Sequence, residues 1–187
     1  SYLATAAADY VSTTVTTKKA DTIIVGASYN VHLIEPWALR TNVQFAKNDT
    51  TNLIPVSSFT DYGAYAIISS KFSGTTAEEL MADADAVKYT KADGNITAEG
   101  TTLTFDFYDG LFSYNLDETV YWVAYFVTAD GTHYTTVQSK SLTDVADSLL
   151  SDGDVSESEK AVLNSMKEMK DTVTALRGED ADLGNIY

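Results

Sequence analysis

Apolar and polar residues alternate most strictly along residues 101–108, with Leu103, Phe105 and Phe107 on one face and Thr102, Thr104 and Asp106 on the other. A period of two residues predicts a half-buried strand. The stretch 121–127 departs from that rule. Tyr121, Val123, Tyr125 and Val127 fall on one side, Trp122, Ala124 and Phe126 on the other, and neither side is polar. Such a strand is central and covered on both faces. Thr128-Ala129-Asp130-Gly131 follows, then Thr132-His133-Tyr134-Thr135-Thr136-Val137, which predicts a tight Asp-Gly turn and a returning strand.

The rest of the first three quarters reads the same way. Residues 22–26 and 31–34 predict two short strands, the second ended by Glu35-Pro36. Trp37, Leu39, Val43 and Phe45 alternate, after one step of slack, with Ala38, Arg40, Asn42 and Gln44. Residues 62–68 form another apolar strand, and turns fall at Asp93-Gly94-Asn95 and Asp109-Gly110. Thr76 and Glu79 have the spacing of a capping box, opening a helix that runs to about Met81 or Ala84. Residues 3–8 predict a short helix. The β-branched run within 10–17 predicts an extended segment able to pair with a sheet edge of another copy.

Past residue 140 the strand pattern stops. Residues 141–187 hold 11 acidic and 4 basic side chains. Ser141 with Asp144 caps a helix carrying Leu142, Val145, Leu149 and Leu150; Ser156 with Glu159 caps a second, with Gly178 as its stop. Along that second helix Val162, Met166, Met169, Val173 and Leu176 step by four, three, four and three, an a/d seam. The seam packs on the chain's own sandwich or takes a protein partner, and these five residues are the candidate interaction surface.

The fold class expected is mainly β: an antiparallel β-sandwich, immunoglobulin- or fibronectin-III-like, with a C-terminal two-helix segment. Its divisions are an N-terminal extension or strand (1–20), the sandwich (21–140) and an acidic helical segment (141–187).

Composition narrows the function. Of 187 residues, 44% are hydrophobic and 11% aromatic, enough for a packed core. Lys+Arg 12 against Asp+Glu 27 gives a net charge of −15, which disfavours nucleic acid and anionic membrane surfaces. No apolar run is long enough to insert into a membrane. The absence of cysteine excludes disulfides and thiolate metal sites.

Chemical motifs are sparse. The two histidines, His32 and His133, fall on separate strands and are expected at exposed positions. No nucleophile elbow, phosphate loop or His-Glu-x-x-His is present. Carboxylate pairs, Asp106 with Asp109 or Glu78 with Glu79, are the one route to acid–base catalysis. Asp152-Gly153-Asp154 starts like a calcium loop but has Glu157 and Leu163 where glycine and glutamate belong. No cofactor and no metal site is expected, incidental Ca2+ binding there or at Asp83-Ala84-Asp85 aside. Exposed aromatics offer a different chemistry: Trp37, Tyr65, Tyr114 and Tyr134 are candidate stacking platforms for a glycan.

A family resemblance is carried by the order of Asp61-Tyr62-Gly63, Tyr108-Asp109-Gly110-Leu111, residues 116–121, Tyr125-Phe126-Val127, Asp130-Gly131 and residues 139–144. Over roughly residues 31–176 this resembles the β-sandwich modules of large surface proteins in gut-dwelling Gram-positive bacteria. Thr119-Val120-Tyr121 also resembles a tyrosine corner, without the proline usual in that loop. The resemblance implies a secreted or cell-surface setting and an architecture more than an activity. The doubly apolar strand, the acidic surface, the missing catalytic motifs and the a/d seam point to a non-catalytic structural or interaction role in a cell-surface or self-assembling protein, a virion included. Self-association or a protein partner is the expected mode, and a glycan-binding module is the alternative.

Overall fold

In the computed structural model, residues 11–17, 23–32, 37–47, 52–112 and 115–179 are described. They form β1 (Val11–Thr17), β2 (Ile23–His32), β3 (Ala38–Lys47), β4 (Asp61–Ile68), α1 (Ala77–Ala82), β5 (Val87–Thr90), β6 (Ile96–Glu99), β7 (Thr102–Phe107), β8 (Val120–Thr128), β9 (Gly131–Tyr134), β10 (Gln138–Lys140), α2 (Leu142–Leu150) and α3 (Glu157–Glu179). One sheet runs β1-β2-β3-β7-β6 and the other β5-β4-β8-β9, with β10 beside β8. All pairings are antiparallel. The architecture is a β-sandwich with C-terminal helices. β1 joins the sheets, pairing with β2 up to Val15 and with β9 through Thr16 and Thr17.

The core lies between the sheets. Leu103, Phe105 and Phe107 of β7 point into it, as their alternation predicts, and Trp122, Ala124 and Phe126 of β8 meet them from the opposite layer. Phe126 stacks on Phe59 with centroids 4.4 Å apart, and Trp122 packs against Phe107 at 5.9 Å and Tyr29 at 6.3 Å. The outer face of the first sheet is polar: Arg40 makes a bidentate pair with Asp106, Thr104 donates to Asn42, and Gln44 reaches Thr101 and Thr102.

Several expectations from sequence are corrected. Residues 23–26 and 31–32 of the two predicted strands belong to one strand, β2, because the ten-residue β3 pairs with it continuously across Gly26, Ala27 and Ser28. β3 has no slack: Thr41 takes the inward place between Leu39 and Val43 and is fully buried. β5 and β6 are short and half-polar, and are held by pairing with β4 and β7 rather than by their own pattern. The hairpin turn centres on Ala129 and Asp130, with Gly131 paired to Thr128 at φ +125°. The returning segment breaks at Thr135. Tyr125 pairs with Tyr134 but Trp122 with Gln138, so one extra residue bulges out, and the Thr135 hydroxyl accepts from the Ala124 N–H at 3.1 Å.

Both capping boxes at Thr76–Glu79 and Ser141–Asp144 form, and Ser156 and Glu159 bond reciprocally at the start of α3. α3 continues through Gly178 to Glu179; one glycine costs a helix only about 1 kcal/mol. Leu142, Val145, Ala146 and Leu149 of α2, with Leu163 and Met166 of α3, join the core between the sheets. The outer face of β8 is covered by neither of these helices. α1 covers it, with Ala77 and Leu80 packed in a second cluster with Ile67, Val123, Tyr125 and Tyr134. A six-residue helix suffices there because one end of that face stays open. The predicted helix at 3–8 lies outside the described residues, as do the 33–36 end of the second predicted strand and residues 48–51 of the polar loop.

Candidate functional site

The open end of that outer face is a groove of about 630 Å³. Strand register assembles it. Lys88 of β5 lies opposite Tyr65 of β4; Gly63 of β4 lies opposite Tyr125 of β8, which lies opposite Tyr134 of β9; Asp61 lies opposite Val127. These residues share one face because each strand alternates, and Met81 of α1 and Asp130 of the hairpin turn complete the rim.

Gly63 shapes the floor. A Cβ there would sit 2.3 Å from the Tyr89 carbonyl oxygen and 2.6 Å from the Tyr125 hydroxyl, so only glycine lets the Tyr125 ring lie across the strand. The Tyr65 and Tyr125 rings are 6.0 Å apart at 45°. The Lys88 ammonium stands over both, 5.4 Å and 5.7 Å from their centroids. Tyr134 donates to Glu78 at 2.7 Å, tying β9 to α1.

Protonation follows from these contacts. The Lys88 pKa is raised by its hydrogen bond with Tyr65 and by the neighbouring Tyr125 oxygen, against a smaller opposing effect of burial. Burial raises the Tyr125 hydroxyl, and the bond to Glu78, then burial, raises Tyr134. At neutral pH Tyr125 and Tyr134 are therefore neutral phenols and Lys88 an ammonium.

Of the residues singled out as glycan platforms, the groove brings together Tyr65 and Tyr134, but Tyr134 is buried, its hydroxyl held by Glu78, and does not serve as an exposed platform. Trp37 is half-buried against the core between the sheets, and Tyr114 lies outside the described residues. Lys88, Tyr125, Asp61 and Asp130 escaped the sequence reading. Tyr125 was legible as an apolar-face position, but Lys88 acquires its place only through β5, whose pattern is too short to read.

On α3, Met166 is buried and Met169 and Val173 are half-buried, while Val162 and Leu176 are 46% and 60% exposed. Leu163, outside the a/d series, takes the fully buried place. Lys170 pairs with Asp117 of the segment before β8 at 3.2 Å and Lys167 with Asp147 of α2, so the cationic flank of α3 faces both.

The carboxylates considered for acid–base work have structural partners. Asp106 holds Arg40, and Asp109 accepts from the Tyr89 hydroxyl at 2.5 Å. Glu78 accepts from Tyr134, and Glu79 caps α1, where the backbone N–H groups of Thr75 and Thr76 lower its pKa. Asp152 and Asp83 each accept from a backbone N–H two residues on. Among the described residues no cluster of three His, Asp or Glu side chains could hold a metal. His133 is buried rather than exposed, stacked on Phe126 at 4.9 Å, because β9 pairs it opposite an inward residue. At the predicted tyrosine corner, the start of β8 is tied instead by Glu118, which accepts from the Ser69 hydroxyl and the Ser70 N–H. Tyr121 packs against Phe72.

No helix among the described residues is long and apolar enough to cross a membrane. A scan against protein-family models, a search of curated proteins and a search of solved structures each find no match.

Proposed function

We propose that the chain is a non-catalytic extracellular module of the immunoglobulin- or fibronectin-III-like kind, secreted or displayed on a cell surface or a self-assembling particle such as a virion. Its work is protein interaction, by self-association or with a protein partner, through α3. The observation that carries this is the division of that helix. Its 23 residues extend about 34 Å, yet among those whose burial is described only Leu163 and Met166 are buried, and Val162 and Leu176 present apolar surface to solvent. The engagement of Asp106, Asp109 and Glu79 in structural bonds supports a role without catalysis.

Light scattering coupled to size exclusion tests self-association. The expected result is a concentration-dependent oligomer that the Val162→Asp/Leu176→Asp pair converts to monomer with an unchanged melting temperature. A wild-type chain that stays strictly monomeric at high concentration removes self-association from the reading.

A second reading, a glycan-binding module, is favoured by the groove, which leaves part of the Tyr65 ring open beside Lys88 and Asp61, with the buried Tyr134 in its wall.

A further inference from the structure

We infer that the groove on the β5-β4-β8-β9 sheet is a site for a short neutral oligosaccharide, with the half-buried Tyr65 ring as the stacking surface and the Tyr125 hydroxyl, Lys88 and Asp61 as hydrogen-bonding groups. The inference rests on the glycan-binding reading and names the ligand class and residues for it.

Its volume of about 630 Å³ lies within the roughly 300–1,000 Å³ usual for small-ligand sites. What enters such a groove is decided by chemistry and by what is already satisfied. A peptide strand cannot be added at the groove floor, because β4 and β8 are paired on both flanks along this stretch. A cationic ligand is disfavoured because the Lys88 ammonium, 5.4 Å from the Tyr65 ring centroid, repels it, whereas the same ammonium can donate to a sugar hydroxyl. An anionic ligand meets Asp61 on a chain of net charge −15, with Lys88 as the one cation lining the groove among the described residues. A purely apolar ligand leaves the charged rim desolvated.

A pyranose satisfies all of these terms. Its C–H face packs on an aromatic ring, while its equatorial hydroxyls accept from an ammonium and donate to carboxylates. The Tyr125 hydroxyl makes no hydrogen bond among the described residues and lines the same space, one further polar group for a hydroxyl-rich ligand. Glu78 and Tyr134 satisfy each other, so they hold the wall and leave the recognition to Tyr65, Tyr125, Lys88 and Asp61.

The test is an amide NMR titration of the full chain with four neutral probes, the tetrasaccharides of cellulose, mannan, xylan and chitin, and one acidic probe, tetragalacturonate. The expected result is saturable shifts confined to β4, β5, β8 and β9 with at least one neutral probe. Affinity falls about tenfold in Tyr65→Ala and about fivefold in Lys88→Met, and is unchanged in Val162→Asp/Leu176→Asp. Binding of the acidic probe alone overturns the neutral-ligand inference but leaves the glycan reading standing. No binding by any of the five overturns both. Binding that survives Tyr65→Ala and Lys88→Met at full strength overturns the placement in this groove.

Discussion

The two faces of β8 are equally apolar in sequence and meet different fates. Trp122, Ala124 and Phe126 face a whole second sheet and are sealed, each at 1% exposure or less. Tyr121, Val123, Tyr125 and Val127 face the six-residue α1 and Phe72 before it, which close over Val123 and pack on Tyr121 but leave the edge of Tyr125 and the half-buried Val127 lining an open groove. Hydrophobicity thus marks a face as one to be covered, but the length of the covering element decides how completely. The residues also differ in kind. The sealed face carries flat rings and a small alanine, whereas the half-covered one carries tyrosines, whose hydroxyls tolerate water at one end.

The largest test of this comparison is Trp122→Ala. Removing a fully buried indole from between the sheets costs about 4 kcal/mol, read as a lowered urea midpoint with an unchanged slope. A cost below about 1 kcal/mol would mean the sealed face is loosely packed and the comparison wrong. Gly63→Ala probes the other face, since its Cβ meets the Tyr89 carbonyl and the Tyr125 ring. The expected cost is about 2 kcal/mol, together with chemical-shift changes in β5 and Tyr125. The smallest effect is of opposite sign. Thr41 is fully buried on the sealed side and its hydroxyl has no hydrogen-bond partner among the described residues. Thr41→Val replaces that hydroxyl with a methyl of like size and is expected to raise stability by about 1 kcal/mol; a destabilised variant would show that the site holds a bonded water.

Thr41 also shows how far the sequence reaches. Its polarity made the β3 pattern look as though it slipped by a step, whereas the ladder with β2 and β7 runs unbroken through it. A threonine fits a pleated sheet by its branched shape, and a single hydroxyl does not outweigh the register set by Leu39, Val43 and Phe45 around it. Gly26-Ala27-Ser28 misleads in the same way, resembling a turn until β3 is seen opposite. The groove was half visible: Tyr65 and Tyr134 were legible as aromatic candidates, while Lys88 and Asp61 carry no local signal that sets them apart from other surface charges.

By itself the sequence determined what is local. The strands of β7 and β8, the capping boxes of α1, α2 and α3, and the acidic helical end follow from residue period and from side chains bonding to backbone a few positions away. The tertiary structure decided what depends on partners distant in the chain. It selected α1, rather than the longer α2 and α3, as the cover for the outer face of β8, and it joined the sheets through β1. Lys88 came to stand over Tyr65 and Tyr125 in the same way, by strand pairing. Such choices turn on which surfaces compete for the same cover, and no single stretch of the chain contains that competition.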